Sequence, residues 1–504
     1  MFGKTLTIGI NGVDTSVVEV ETDISNGLPG FDVTGNMSVV VKEAKERVRI
    51  ALKNSGIKLG MGRITVNMSP ANIRKDGTHF DLAIAISILV ATGLINQEEL
   101  EGTFFTGELT LEGEVIGVRG ILPITIEALE CGGRRIIVPK ANALEGATVA
   151  GIEVIGVENL RQCIDYIKGR ELISSQEYVE EPEPEEVLDF ADIKGQKVLK
   201  RGMMVAAAGR HNMLIYGPPG SGKSMAARRM NGILSPLTEK ESLEISKLYS
   251  IAGLLDSNTC KISKRPFRAP NYLISRSAFC GGGVVVQPGE ISLAQSGVLF
   301  MDEFNLFSRE VLEALRTPLE TGVARIERSS YVYEYGADFL LIAAMNPCRC
   351  GYYPDRSRCN CTDFEVKKHL GKISKPILER IDIYINADRI TYNDVITKED
   401  KYTTEYMKNA VAKAVEVQRQ RFTGTDISYN CAIPGNMLDT YCVLEEAARN
   451  IISQLFDKKG LSVRSYGKIL KVARTIADLE GNEKITEEDL CEALGYKNME
   501  VFDA

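Results

Sequence analysis

Residues 217–224 have the composition and spacing of a loop that binds phosphate groups. They read G-P-P-G-S-G-K-S, follow an apolar stretch at 213–216 and precede a helical pattern. A strand, a glycine-rich turn and a helix in this order let successive backbone N–H groups surround a phosphate. We expect Lys223 to reach the β- and γ-phosphates and Ser224 to ligate Mg²⁺. The predicted loop residues are Gly217, Pro218, Pro219, Gly220, Ser221, Gly222, Lys223 and Ser224.

Two further apolar stretches end in polar residues that suit nucleotide hydrolysis. Asp302 and Glu303 follow residues 298–301, and Asn346 closes the stretch that begins at residue 339. Ligands of open α/β sheets bind at the carboxyl ends of strands, so these side chains should lie near the phosphate loop. We expect Asp302 to hold Mg²⁺ through water, Glu303 to polarise the attacking water and Asn346 to orient it. A structural Asn-Pro turn would look identical at Asn346.

Four cysteines follow Asn346 in the pattern C-x-C-x8-C-x-C. Four thiolates can form a tetrahedral zinc site, and the turn-rich residues between the two pairs could bring them together. The spacing departs from the commoner C-x2-C pairs, so structural zinc and four reduced cysteines both remain open. His369 is an alternative ligand, or a surface histidine on a basic helix. The predicted metal ligands are Cys348, Cys350, Cys359 and Cys361.

The elements that position these residues divide the chain into four parts. An α/β region at 1–172 precedes an acidic linker at 173–190, and alternating helices and strands at 191–388 predict a parallel sheet with helical crossovers. Residues 389–504 are mostly helical, and T-E-E-D-L at 486–490 is a typical helix start. The apolar stretch 83–91 predicts a buried helix.

The bulk composition is that of an ordinary soluble globular protein. The chain has 504 residues, 44% hydrophobic residues and a net charge of -8, much of it from seven acidic residues at 176–190. This charge neither supports nor excludes binding to nucleic acid. Eleven cysteines without a signal-peptide pattern predict reduced thiols or metal ligands, and no apolar stretch is long enough to span a bilayer. A cytoplasmic protein without membrane contact is expected.

Several long motifs resemble the magnesium-chelatase-like AAA+ ATPases, and most closely their ComM/YifB branch. The motifs are GPPGSGKS, GVLFMDE, AAMNP, KPILERIDI and LSVRSYGKILKVARTIADL. The resemblance implies ATP and Mg²⁺ as ligands, a homo-hexameric ring and a C-terminal helical lid. It also implies that Arg380 is an arginine finger, which reaches the γ-phosphate of the neighbouring subunit, and that Arg464 is the sensor-2 arginine. For both residues a plain surface arginine is the alternative.

ComM members are branch-migration helicases of natural transformation, so the resemblance implies single-stranded or branched DNA as the partner. The long interval between Ser224 and Asp302, with glycines at 281–283, suits an inserted helix and hairpin that point into a ring pore. A second hairpin is predicted at 323–338. The predicted DNA contacts are Lys264, Arg265 and Arg268, with Arg276, Arg325 and Arg328 as further candidates; solvated charge on an exposed loop is the alternative. A metal-chelatase ATPase subunit and a protein remodeller are the alternative functions.

The N-terminal region resembles a Lon-type protease domain that lacks its catalytic pair. The stretch 75–79, K-D-G-T-H, corresponds to the segment that bears the nucleophile, and its serine position falls on His79. Counting from Gly113, the position of the catalytic lysine falls on Leu122. A Ser-Lys dyad needs a hydroxyl and an amine, and neither is where it is expected. We therefore predict a non-proteolytic platform for DNA contact or ring assembly.

Overall fold

The computed structural model describes residues 1–60, 62–179, 188–255, 260–283, 286–328, 331–392, 394, 401–459 and 461–497. Residues 180–187, which lie within the predicted acidic linker at 173–190, are outside this set, as are residues 284–285 and 329–330 of the two predicted hairpins. The predicted end of the helical region, residues 498–504, also lies outside it.

The N-terminal region is built on a seven-stranded mixed sheet in the order β3-β4-β2-β1-β5-β8-β9. A long antiparallel hairpin, β1 and β2, runs from the pair Phe2–Asp23 to the pair Asn11–Asp14, and β5, β8 and β9 continue the sheet in parallel. The strands are β1 Phe2–Asn11, β2 Asp14–Ser25, β3 Gly30–Thr34, β4 Arg63–Ser69, β5 Thr103–Phe105, β6 Glu108–Leu109, β7 Val115–Ile116, β8 Arg135–Pro139 and β9 Glu153–Val157.

Helices cover this sheet, and the most apolar of them is entirely buried. All residues of α2 are buried, which confirms the buried helix predicted at 83–91. Its first residue, Asp81, is fully buried and pairs with the Arg47 guanidinium, whose Nε lies 2.7 Å from the carboxylate. The helices are α1 Val39–Asn54, α2 Asp81–Ala91, α3 Ile121–Glu130, α4 Ala143–Gly146 and α5 Leu160–Ile167.

The central region contains a five-stranded parallel sheet in the order β11-β14-β17-β10-β18, as the alternating pattern predicts. The strands are β10 Met213–Tyr216, β11 Phe267–Arg268, β12 Gly281–Gly282, β13 Gln287–Pro288, β14 Val298–Met301, β15 Val323–Arg328, β16 Tyr331–Gly336, β17 Leu340–Met345 and β18 Ile383–Asn386. Strands β10, β14 and β17 are wholly buried, so their carboxyl ends are fixed by the core on both faces.

Helices flank the central sheet, and two small hairpins extend from it. Strands β12 and β13 form one hairpin and β15 and β16 form the other, at the positions where insertions are predicted. The helices are α6 Lys197–Gly209, α7 Lys223–Arg229, α8 Glu239–Ala252, α9 Arg276–Cys280, α10 Glu290–Leu293, α11 Arg309–Ala314, α12 Pro318–Thr321, α13 Asp363–Leu370 and α14 Lys375–Leu378.

The C-terminal region is helical and shares a core with the face of the sheet that α6 covers. Thr486 caps its last helix with a reciprocal bond to Asp489, as predicted for 486–490. Lys468 lies 2.6 Å from Asp382 and thereby joins this region to the segment just before β18. The helices are α15 Thr404–Arg421, α16 Leu438–Tyr441, α17 Glu446–Lys459, α18 Val463–Glu480 and α19 Glu487–Gly495.

The N-terminal region packs against helix α8 and hairpin β15–β16 of the central region. The half-buried carboxylate of Glu145 accepts hydrogen bonds from the Ser250 hydroxyl and from the backbone N–H of Leu122. At the hairpin, the Asn36 amide donates to the Tyr331 hydroxyl at 3.3 Å. The hairpin predicted at 323–338 is therefore in contact with the N-terminal region along one side.

Candidate functional site

The predicted phosphate loop connects β10 to α7 at the carboxyl edge of the central sheet. Gly220 and Gly222 have φ values of +78° and +88°, a region that residues with a side chain rarely adopt. Lys223 is largely buried, and its ammonium group donates to the carbonyl oxygens of Gly217 and Pro218, both at 2.9 Å. Burial lowers the pKa of Lys223, and the nearby Asp302 carboxylate opposes this shift.

Three neighbouring strands bring the predicted hydrolytic residues to this loop. The Ser224 hydroxyl donates to the Asp302 carboxylate at 2.7 Å, which joins the end of β14 to the start of α7. The Lys223 ammonium lies 3.2 Å from the side-chain oxygen of Asn346, which follows β17 directly. Four polar groups thus converge where a strand ends and a helix begins: a hydroxyl, a carboxylate, an amide and a cation. This set of groups fits the binding of Mg²⁺ and phosphate.

Glu303 lies next to Asp302 in a strained backbone conformation. Its φ is +51°, in the left-handed region, and its backbone N–H donates to the Asp302 carboxylate at 2.9 Å. The side chain is exposed and lines a cleft of about 630 Å³ that Asn346 also borders. A strained acidic residue that faces an open cleft beside a phosphate loop suits a water-polarising carboxylate.

His369 is a residue of this site for which the sequence predicts other roles. Its Nε2 lies 3.0 Å from the backbone oxygen of Asn346, and its Nδ1 lies 3.3 Å from the amide nitrogen of Asn305. Burial lowers the pKa of His369. Among the described residues the metal-competent cluster contains the four cysteines and not this histidine. His369 is therefore neither a cysteine-site ligand nor a plain surface residue; it braces the backbone at Asn346.

A second cleft, of about 370 Å³, is formed in part by the phosphate loop itself. Ile193, Lys194 and Ile390 line it together with Gly220 to Met225. Its apolar walls and its position beside the phosphate loop suit a nucleotide base. The sequence analysis did not identify these residues, although the apolar residues Phe190 and Ile193, at and just after the end of the acidic linker, were a usable signal.

Arg380 and Arg464 both lie near the Glu320 carboxylate. Arg380 contacts the Glu320 carboxylate and donates to the backbone oxygen of Arg316 at 3.1 Å. Arg464 is exposed and lies 3.5 Å from Glu379, the neighbour of Arg380. In the described part of the chain no hydrogen bond or ion pair joins either arginine to residues 217–224.

The four predicted metal ligands are brought into one cluster. The sulfur of Cys350 lies 3.3 Å from that of Cys348 and 3.6 Å from those of Cys359 and Cys361, and the Cys348–Cys359 separation is 3.7 Å. All four sulfurs lie within 4.8 Å of one another. A zinc ion with Zn–S bonds of about 2.3 Å has ligand sulfurs about 3.8 Å apart, so the cluster has the dimensions of a tetrahedral site.

The predicted DNA contacts differ in their surroundings. Arg265 is buried, and its guanidinium donates to Glu241 and to the backbone oxygen of Ser235. The prediction that Arg265 contacts DNA is therefore wrong, because internal acceptors already satisfy this side chain. Arg268 forms a two-pronged ion pair with Glu290, at 2.7 and 2.6 Å, and is half-buried. Lys264 is exposed.

The stretch that resembles a protease site is packed into the N-terminal core. His79 is buried, burial lowers its pKa to about 4, and its ring lies 3.2 Å from the Ile8 carbonyl oxygen. Thr78 donates to Glu108, and Lys75 is buried and donates to the Pro70 carbonyl oxygen. Leu122 is also buried, in α3. These side chains form structural contacts, and no hydroxyl–amine pair joins Thr78 to Lys75.

Each of the three structural regions matches a family of known proteins. Residues 20–142 match the family described as "Subunit ChlI of Mg-chelatase". Residues 189–395 match "Magnesium chelatase, subunit ChlI", and residues 401–497 match "Magnesium chelatase, subunit ChlI C-terminal".

Relatives of similar length decide the branch. The protein named Competence protein ComM of Haemophilus influenzae is 38% identical over 494 residues, which cover 97% of this chain and 96% of the relative. The protein YifB of Escherichia coli is 35% identical over 496 residues, covering 96% of this chain and 95% of the relative. The chain belongs to the ComM/YifB family of magnesium-chelatase-like proteins. This confirms the resemblance inferred from the motifs.

A magnesium-chelatase subunit aligns with a smaller part of this chain than the ComM and YifB relatives do. The magnesium-chelatase 38 kDa subunit of Cereibacter sphaeroides is 22% identical over 316 residues, 59% of this chain and 86% of that subunit. Membership of the magnesium-chelatase-like AAA+ group supports ATPase activity with ATP and Mg²⁺. No helix within the described residues has the length and apolar character needed to cross a membrane.

Proposed function

We propose that this chain hydrolyses ATP at the carboxyl edge of the central sheet. Lys223 binds the β- and γ-phosphates, Ser224 and Asp302 hold Mg²⁺, Glu303 polarises the attacking water and Asn346 orients it. Bound Mg²⁺ would neutralise charge on the phosphates. The observation that carries this proposal is the 2.7 Å bond between Ser224 and Asp302, which unites the phosphate loop with the acidic strand end.

Two variants test this assignment by separating binding from hydrolysis. Lys223→Ala should weaken nucleotide binding itself, because the phosphate-binding cation is lost. Glu303→Gln should bind ATP and hydrolyse it slowly, because only the water-polarising carboxylate changes. Titration with a fluorescent ATP analogue and phosphate release would measure the two steps. Normal turnover by Glu303→Gln would contradict the assignment of residues 298–303.

We propose that Arg380 and Arg464 act on the nucleotide of a neighbouring subunit in a homo-hexameric ring. Neither arginine contacts the described phosphate loop of its own chain, and both lie near the Glu320 carboxylate. Two guanidinium groups near one carboxylate suit a phosphate presented from another chain. ATP in the interface would replace Glu320 as the partner of Arg380.

We propose that the ring is a motor on single-stranded or branched DNA and that it serves recombination, as a branch-migration helicase in natural transformation. The support is the near-complete coverage of the relative named Competence protein ComM, whereas the magnesium-chelatase subunit aligns with little more than half of this chain. Lys264 is exposed, and Arg325 and Arg328 are exposed on strand β15. Such side chains contact phosphates without reading sequence.

A magnesium-chelatase-type ATPase subunit is the second candidate, supported by the family matches to all three regions. A protein remodeller would resemble it in responding to a protein partner. The two classes differ from a DNA motor in what stimulates turnover, so ATPase assays with and without DNA separate them. We place the activity in the cytoplasm, because the eleven cysteines form no disulfide among the described residues, which suits a reducing compartment.

We further propose that Cys348, Cys350, Cys359 and Cys361 hold one structural Zn²⁺. The sulfur separations of 3.3 to 3.7 Å approach the edge of a zinc-thiolate tetrahedron, and four cysteine ligands would fill all four positions and leave none for a reacting water. The metal would close the loop between the two cysteine pairs. Zinc analysis of the purified chain measures this directly.

A further inference from the structure

The cysteine knuckle, residues 348–361, lies directly against the phosphate loop. Gly351 has a φ of +85°, and a Cβ atom there would lie 2.5 Å from Cδ and 3.0 Å from Cγ of Pro219. Only a glycine fits so close to the Pro219 ring in this conformation. Gly351 is also next to Cys350, so the position of its backbone depends on how the sulfur cluster is held.

Both ends of the knuckle continue into elements of the hydrolytic site. Cys348 is buried two residues after Asn346, whose side-chain oxygen faces Lys223. At the other end Thr362 follows Cys361 and caps helix α13 with a reciprocal bond to Glu365. That helix carries His369, which contacts the backbone oxygen of Asn346. The knuckle therefore joins three parts of the nucleotide site: Pro219, Asn346 and His369.

Between its two cysteine pairs the knuckle packs against the core mainly through Tyr353. Residues 354–358 are exposed, whereas Cys348 and Cys359 lie in the core beside β17. A segment of this kind gains order mainly from the cross-link that joins its ends, and metal binding supplies such a cross-link.

We propose that Zn²⁺ in the cysteine knuckle holds Gly351 against Pro219 and thereby controls the ability of the phosphate loop to bind ATP. This inference rests on the proposed ATP site. The metal takes no part in hydrolysis. Its occupancy sets the conformation of the loop, so that loss of zinc weakens nucleotide binding even though Lys223, Ser224 and Asp302 are all present.

The first arm of the test measures zinc and nucleotide binding in the same samples of the full chain. The wild type should contain one zinc per chain by plasma mass spectrometry, and the double variant Cys350→Ser, Cys361→Ser should contain none. Stripping zinc from the wild type with a chelator that spares Mg²⁺ should weaken binding of a fluorescent ATP analogue, and returning zinc should restore it. Cys131→Ser with Cys491→Ser, which removes two exposed thiols elsewhere, is the matched control.

The second arm keeps the metal and disturbs only the contact. Gly351→Ala retains all four thiols, so its zinc content should equal that of the wild type. Its Cβ meets Pro219, and the overpacking should weaken ATP binding about tenfold. Gly424→Ala is the control, because Gly424 has a similar φ of +81° with nothing within 4 Å of an added Cβ. This control separates backbone strain from pressure on the phosphate loop.

The outcomes distinguish the three claims. Absence of zinc from a wild type purified with zinc supplied would overturn the metal site. Zinc present, with ATP binding unchanged in both the stripped wild type and Gly351→Ala, would overturn the coupling. A wild type that holds zinc and binds no ATP would overturn the proposed ATP site and the coupling with it, and leave the metal site standing.

Discussion

The ammonium group of Lys223 lies 3.2 Å from the side-chain oxygen of Asn346, although 123 residues separate them in the chain. The contact exists because β10 and β17 are adjacent parallel strands whose last residues, Tyr216 and Met345, are paired. The same ammonium group is held by two backbone oxygens of its own loop. Nucleotide phosphates would compete with these neutral acceptors for the cation, which releases Asn346 to contact water.

The first prediction concerns this amide. Asn346→Ala should lower kcat by about 100-fold, the usual effect of removing one positioned hydrogen-bonding group, with a small change in KM. The reason is that Asn346 orients water in the transition state, whereas Lys223 still binds the phosphates. Steady-state ATPase assays measure both constants. A rise in KM at constant kcat would show instead that Asn346 serves ground-state binding.

The second prediction concerns strain at Glu303. Its φ is +51°, a conformation that destabilises a residue with a side chain by about 1–2 kcal/mol. Glycine adopts this conformation without that penalty. Glu303→Gly should therefore be more stable to thermal unfolding than Glu303→Ala, while both lose hydrolysis. Differential scanning calorimetry of the two variants tests the order. Equal or reversed stabilities would mean that the turn after β14 stores no strain for function.

The third prediction places Arg380 across a subunit interface. Arg380→Ala subunits and Glu303→Gln subunits should each be inactive alone. Mixed rings should recover part of the ATPase activity, because some interfaces then contain an intact Arg380 opposite an intact Glu303. Native mass spectrometry verifies mixing. If verified mixed rings stay inactive at every ratio, Arg380 acts within its own chain or supports Glu320 structurally.

The fourth prediction follows from two buried histidines. Burial lowers the pKa of both His79 and His211 from 6.5 to about 4, so each is neutral in the folded chain and binds a proton on unfolding below about pH 6.5. Above pH 6.5 the buried neutral histidines therefore cost no stability. As the pH falls from 6.5 towards 4, the free energy of unfolding decreases by up to about 3 kcal/mol for each histidine.

Replacing one of these histidines tests the sign. His79→Phe keeps a ring of similar size beside Phe80 and removes one titrating group. The melting temperature of this variant should fall less steeply between pH 6.5 and 4.5 than that of the wild type. A parallel fall in both proteins would contradict the lowered pKa of His79.

The convergence of the candidate nucleotide-site residues was predictable from sequence because local order and sheet topology act together. Gly217 to Ser224, Asp302, Glu303 and Asn346 all stand at the ends of apolar strands, and parallel strands place such ends at one edge. The cysteine cluster was predictable only as an alternative, because the closure of C-x-C-x8-C-x-C depends on turns within residues 351–358. The sequence shows the thiols and not their separation.

Other residues could not be predicted because their roles depend on tertiary partners. In the sequence Arg265 belongs to a basic run. In the structure its ion pair with Glu241 holds the side chain in the interior. His369 reads as a surface histidine, and only the packing of α13 brings it to Asn346. The contact of Gly351 with Pro219 joins segments 132 positions apart and has no sequence pattern of its own.

The fifth prediction is that DNA stimulates ATP hydrolysis through the exposed cations. Lys264→Ala with Arg328→Ala should weaken DNA binding similarly for all base sequences and reduce the slope of log affinity against log salt by about 0.9 for each lost phosphate contact. Lys413→Ala with Lys484→Ala removes the same charge from exposed positions of the C-terminal region and is the control. Loss of affinity in the control variant alone would move the DNA surface to that region.

The most direct test of the DNA-motor proposal is the rate of ATP hydrolysis by purified wild-type rings at low salt, measured without DNA, with single strands and with a four-way junction, alongside strand displacement from the junction. A DNA motor should hydrolyse ATP faster with either DNA, independent of base sequence, and strand displacement should stop in Glu303→Gln. An equal rate under all three conditions, with no strand displacement, would contradict the DNA-motor proposal and favour a chelatase-type ATPase that is stimulated by a protein partner.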